Sequence, residues 1–147
     1  MPKSKICLPD INVWIALASD RHLHHAPAIE WFLSLERSSA AFCRVTQMGF
    51  LRLISNPKVM AEDTVSQQDA WRIYERLSRD HRIFYSPEQP ELETTWKQYS
   101  LSTLSGINLW TDAYLAAFAK VRSWGLISFD KGFRRLQASE FEATILK

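Results

Sequence analysis

The sequence predicts an α/β fold, an α/β/α sandwich built on a mainly parallel central sheet. Three observations predict it. Short apolar runs of strand length alternate along the chain with longer segments of helical periodicity, the pattern of a parallel sheet covered by helices on both faces. No repeat, low-complexity stretch or linker interrupts that alternation, so residues 1–147 read as a single domain. The composition is globular: 46% hydrophobic, 23% charged, with 4 Gly and 6 Pro in 147 residues. It excludes disordered, collagenous and coiled-coil chains.

Taken in order, residues 5–9 form a short buried strand stopped by Pro9. Residues 12–18 turn helical, with Val13, Ile15, Ala16 and Leu17 apolar, and residues 20–25 make a polar loop. Residues 26–37 carry Ile29, Phe32, Leu33 and Leu35 at helical spacing, with Pro27 suited to a first turn. A strand at 40–45 leads into a helix at 46–55, ended by Asn56-Pro57. Residues 66–79 form an amphipathic helix with Ser66 as its N-cap. A third strand at 82–86 is followed by Pro87 and Pro90, then a helix at 91–103 broken by Ser105-Gly106. The strongest helix spans 111–123; a strand at 125–129, a short helix at 131–136 and a strand at 143–146 complete the pattern.

Eighteen Lys and Arg against 16 Asp and Glu leave a net charge of +2, which excludes a polybasic nucleic-acid binder. Cys7 and Cys43 lie in apolar runs and read as reduced core residues of a cytoplasmic protein rather than a disulfide or a metal pair. Lys3 and Lys5 with the apolar stretch behind them imitate a signal peptide, but Pro9 and Asp10 interrupt it. No apolar run is long enough to span a membrane.

Most acids fall on polar helix faces or in loops. Asp10, Asp112 and Asp130 do not: each sits in an apolar segment where a strand or loop hands over to a helix. In a parallel α/β sheet those junctions gather at the carboxyl ends of the strands, where ligands bind. Carboxylates converging there repel and desolvate one another unless a cation joins them. Oxygen-only ligation suits Mg²⁺ or Mn²⁺, which can activate water and clamp a phosphodiester. Singly, Asp112 and Asp130 also read as N-terminal capping acids.

Leu8-Pro9-Asp10-Ile11-Asn12-Val13 resembles the D-x-N opening motif of PIN-domain ribonucleases. The runs 111–117 and 128–133 resemble that family's later acidic motifs, and 45–57 resembles its central helix in VapC-type toxins. The resemblance covers nearly the whole chain in order. It implies an α/β/α sandwich, divalent-metal-dependent endonucleolytic cleavage of RNA, a cognate antitoxin that silences the enzyme, and a homodimer. Asp10 and Asp112 take the positions of the main metal ligands, Asp130 completes the cluster, and Asn12 orients a ligand or a water. Gln47 stands where the family usually carries Glu, which keeps a carbonyl oxygen but removes a charge.

Lys131, Arg134 and Arg135 follow Asp130 directly and, with Arg44, are the residues expected to meet RNA phosphates, while Arg44 and Arg52 bracket Gln47. The loop with His22, His24 and His25 lacks a matching partner set for a metal and reads as a solvated or capping loop. Five of the six Trp fit helix packing, and burial is also expected for Trp110, although its place beside Asp112 makes it a stacking candidate. Two further readings stand beside the ribonuclease. Asp10-Ile11-Asn12 resembles an aspartyl-phosphate nucleophile motif whose second acid is missing. With Gln47 in place of an acid, the domain could instead bind RNA or a partner without cutting. Apolar residues exposed on the 26–37 and 46–55 helices are the expected partner groove, on the family resemblance.

Overall fold

Among the described residues five strands, β1 (Cys7–Pro9), β2 (Ala40–Phe42), β3 (Ile83–Tyr85), β4 (Gly125–Ser128) and β5 (Ala143–Ile145), form one sheet in the order β3-β2-β1-β4-β5. All four pairings are parallel. The computed structural model describes residues 6–102, 109–135 and 142–147, with the backbone alone for Ser102, Arg134 and Arg135. Lys5, Ser105 and Gly106, to which the sequence assigns a strand start and a helix break, lie outside the described residues.

Among the described residues seven α-helices connect the strands: α1 (Ile11–Ala18), α2 (His25–Leu33), α3 (Arg44–Ile54), α4 (Pro57–Met60), α5 (Gln67–Ser78), α6 (Leu92–Ser102) and α7 (Leu109–Arg122). Neighbouring residues of a strand point to opposite faces of the sheet. Cys7, Ala40, Phe42 and Ile127 therefore join one core with α1, α2, α3 and α5, around Trp14, Phe50 and Tyr74. Leu8, Ala41 and Leu126 join a second core with α6 and α7, around Leu92, Leu115 and Phe118. That is the α/β/α sandwich predicted. Trp14 stacks on Phe42 with ring centroids 3.8 Å apart, pinning α1 to the middle of the sheet.

The boundaries differ where side chains rewrite the backbone. The second strand stops at Phe42, three residues short, because Cys43 becomes the cap of α3 and its N–H donates to Thr46 Oγ1 at 3.0 Å. The second helix ends at Leu33 because Ser34 turns both its N–H and its hydroxyl back to Trp31 O. Asn56-Pro57 ends α3 but also starts α4, with the Asn56 side chain accepting from Lys58 N at 3.0 Å and Pro at the first helical position. A 3₁₀ turn at Ala61–Asp63 follows, which the sequence pattern does not announce. Ser66 caps α5 as expected, accepting from Asp69 N at 3.1 Å. Among the described residues no helix is long and apolar enough to cross a membrane.

Candidate active site

The chain moves outward from β1 through β2 to β3, then returns to lay β4 against the other side of β1. Such a reversal opens a crevice at the carboxyl ends of the two strands it separates. Asp10 leaves β1 into that crevice, and Asp130 leaves β4 into it two residues after Ser128. Asp112 reaches the same place from the first turn of α7. The resulting cleft, about 380 Å³, is lined by Asp10, Ile11, Asn12, Ile15, Arg52, Leu53, Thr111, Asp112 and Asp130. The structure thus brings together the three acids and Asn12.

Asp10 is buried, and two donors hold it. Its Oδ1 accepts from Ile11 N at 2.7 Å, capping α1, and its Oδ2 accepts from Ser128 Oγ at 2.9 Å. Ser128 Oγ in turn accepts from Asn12 Nδ2 at 3.3 Å and from Asp130 N at 2.9 Å. The Asn12 Oδ1 accepts from Phe129 N at 3.3 Å. Asn12 therefore ties the start of α1 to the loop after β4, and its amide is committed to that task. This disfavours the aspartyl-phosphate reading, which needs a free acid/base at that position. Asp130 is exposed and caps its own turn, accepting from Gly132 N at 2.8 Å. A side chain at Gly132 would crowd that carboxylate, since a β-carbon there would lie 3.0 Å from Asp130 Oδ1.

The acids perturb one another. Burial pushes the Asp10 carboxyl above its ordinary value, with Asp130 adding to the rise, while Ser128 and Ile11 N hold it down. Asp112 is pushed up to about 7, by burial first and then by the charges of Asp10 and Asp130. Among the described residues no three Asp, Glu, His or Cys side chains stand close enough to grip an ion as they are. The acids share a cleft rather than a closed chelate. Carboxylate oxygens whose charges disfavour one another, with an amide and a hydroxyl beside them, are nevertheless the donor chemistry of a hard divalent cation.

Gln47 lies in the first turn of α3. It is buried on α3 but does not line the acidic cleft, and its Oε1 accepts from Arg44 Nη1. The Arg44 guanidinium lies 5.0 Å from the Tyr85 ring centroid. Lys131 is exposed beside Asp130, whereas the side chains of Arg134 and Arg135 lie outside the described residues. Ser128 and Arg52 are the site residues that sequence reasoning left without a role. The signal for Ser128 was there, a polar residue ending the apolar run Leu126-Ile127 and pointing into the crevice.

The surroundings bring two corrections. Trp110 is 63% exposed rather than buried, with its carbonyl accepting from Trp96 Nε1 at 3.0 Å. The His loop does more than cap: His24 stacks on Phe129 at 4.5 Å, so it packs against the segment carrying Asp130. An apolar groove of about 560 Å³ lies between α3 and α5, where Met48 and Trp71 are 58% and 49% exposed and Arg52 reaches its rim. This groove shares α3 with the partner surface expected from the sequence and adds α5.

The description "PIN domain" fits residues 7–138 of this chain. The chain is 33% identical to Ribonuclease VapC41 of Mycobacterium tuberculosis over 131 residues, covering 86% of this chain and 90% of that protein. Its fold is similar to the crystal structure of VapBC2 from Rickettsia felis bound to a DNA fragment from their promoter, with a TM-score of 0.67, 9% identity, and 97% and 99% of the two chains covered. It is also similar to a toxin–antitoxin complex from Klebsiella pneumoniae, with a TM-score of 0.57, 19% identity, and 86% and 89% covered. The carboxyl-edge crevice, its acids and these matches lead to one statement: the chain belongs to the PIN domain family, beside its VapC members.

Proposed function

We propose that this chain is an endoribonuclease, the toxin of a type II toxin–antitoxin pair, hydrolysing RNA phosphodiesters at the cleft of Asp10, Asp112 and Asp130. The observation that carries the reading is that one crevice gathers three carboxylates, two of which, Asp10 and Asp112, are pushed above the ordinary carboxylate range by burial and by their acidic neighbours. The relative named as a ribonuclease and the neighbour described as a toxin–antitoxin complex support it. Asp10 and Asp112 would hold a divalent cation, Mg²⁺ or Mn²⁺, with Asp130 completing the set directly or through water. Such an ion supplies a positive charge for a phosphodiester oxygen and lowers the pKa of water. The chain's own residues do the rest. Ser128 and Ile11 N fix both oxygens of Asp10. Asn12 keeps the Phe129–Asp130 backbone in register with α1. Arg52 and Lys131 offer positive charge at the rim, where RNA phosphates approach an otherwise acidic floor.

The groove between α3 and α5 is the surface offered to an antitoxin, and a homodimer is expected from the family. The work belongs in the cytoplasm, where the two buried thiols stay reduced. The test is incubation of the purified chain with total RNA and Mg²⁺ or Mn²⁺. Cleavage is expected, with loss in EDTA and in Asp10→Asn, which keeps the cap to Ile11 N while removing the charge. Full activity of Asp10→Asn, or in EDTA, would overturn this mechanism.

A further inference from the structure

We propose that Arg44 and Tyr85 form a binding subsite for single-stranded RNA beside the acidic cleft, and that Gln47 is the residue that positions Arg44 for it. The inference rests on the ribonuclease reading and adds where the substrate lies.

The topology supplies the placement. Every strand is parallel, so every carboxyl end lies along one edge of the sheet. Asp10 follows β1, Arg44 follows β2, and Tyr85 ends β3, which puts the three on that edge strand by strand. Neighbouring strands lie about 5 Å apart, so the pair stands roughly 5–10 Å from the end of β1. A strand of RNA whose phosphate occupies the cleft passes over this edge with its adjacent nucleotides.

The side chains have the right chemistry. Tyr85 is 40% exposed at the end of a strand whose first residue, Ile83, is buried. The Arg44 guanidinium rests against its ring, 5.0 Å from the centroid. Aromatic and guanidinium planes are the groups on which unpaired bases stack, and the guanidinium nitrogens other than the Nη1 held by Gln47 are left to meet a phosphate. Among the described residues no carboxylate pairs with Arg44, and Glu88, the acid that follows β3, is engaged by the Tyr114 hydroxyl at 2.7 Å.

Gln47 explains why that charge stays available. Its buried amide oxygen accepts from Arg44 Nη1 and so fixes the guanidinium without neutralising it. A glutamate at the same position would turn the contact into an ion pair and cancel the charge that RNA needs. The departure from the usual acid thus acquires a role outside the metal cluster: it exchanges a carboxylate for a neutral support of a phosphate-binding arginine.

The experiment measures anisotropy of a short fluorescein-labelled single-stranded RNA of mixed sequence, in EDTA, on the full chain carrying Asp10→Asn. Arg44→Ala should weaken binding roughly tenfold and reduce the log–log salt slope by about 0.7 for each phosphate the arginine neutralises. Tyr85→Ala should weaken it roughly tenfold, with Tyr85→Phe restoring it. Gln47→Glu should weaken binding in the parent but add nothing once Arg44→Ala is present. Arg79→Ala, which removes the same charge at the opposite edge of the sheet, should leave affinity unchanged. Gln47→Glu binding as tightly as the parent or tighter, or an unchanged salt slope in Arg44→Ala, would overturn the inference. A parent that binds no RNA, together with a native chain that cuts none, would overturn the ribonuclease reading itself. A parent that binds and ignores these substitutions overturns only the subsite.

Discussion

The hydroxyl of Ser128 is the point where three polar groups from two ends of the chain meet, since it donates to Asp10 and accepts from Asn12 and from Asp130 N. It is fully buried, so Ser128→Ala leaves those groups without a partner and should cost about 1–3 kcal/mol, read by urea denaturation. The same variant should also lose cleavage rate, because Asp10 is then held on one oxygen only. Asp112 makes a different prediction. Its folded pKa lies near 7 against an ordinary 3.8, so between those values the fold keeps a proton that the unfolded chain has released. Raising the pH through that window therefore removes stability from the metal-free protein. In EDTA, Asp112→Asn should gain in melting temperature over the wild type at pH near 7.5 and gain little at pH near 4. An equal gain at both values would show that the carboxyl is not perturbed. At this scale the acids and Asn12 were legible, because three acids in apolar segments at strand-to-helix junctions are more than capping alone requires. Ser128 carried a weaker signal, a polar end to an apolar run, which a serine gives in many places that are no site. The bond between Gln47 and Arg44 was not legible, because spacing alone does not tell which way a long side chain turns.

The contact between α1 and α3 is made possible by Gly49. A β-carbon there would lie 2.3 Å from Ile11 Cδ1, and Ile11 is both the first residue of α1 and part of the cleft wall. Gly49→Leu should therefore destabilise by about 1–3 kcal/mol through overpacking, despite the better helix propensity of leucine, as thermal unfolding would read. Among the elements themselves, the long helices and the buried strands were legible from period and burial. Their ends were less so, because single side chains set them: Thr46 draws Cys43 into a cap, Ser34 folds back on Trp31, and Asn56-Pro57 closes one helix while opening the next. Val45 shows the limit well. As a β-branched residue it extends an apolar run that reads as strand, yet the cap before it commits it to the first turn of α3.

Across the whole molecule, the sheet order could be only half read. Alternation gives parallel strands, but the return of the chain to β1 depends on which strand β4 finds, a choice made by packing on both faces at once. The cleft that results should make folding respond to divalent cations. Added Mn²⁺ or Mg²⁺ is expected to raise the melting temperature in a concentration-dependent way, and Asp10→Asn or Asp112→Asn to abolish the rise. A rise of equal size in both variants would place the ion elsewhere. The pairing of β1 with β4 also has a consequence for the order of synthesis. Asp10 lies near the start of the chain, while Ser128, which holds one of its oxygens, and Asp130 lie 118 and 120 residues further on. A chain emerging from the ribosome therefore carries one acid of the cleft more than a hundred residues before it gains its partners. Until then the cleft is incomplete, and on the proposed function truncated products that end before β4 should cut no RNA, as incubation of residues 1–124 with total RNA would read.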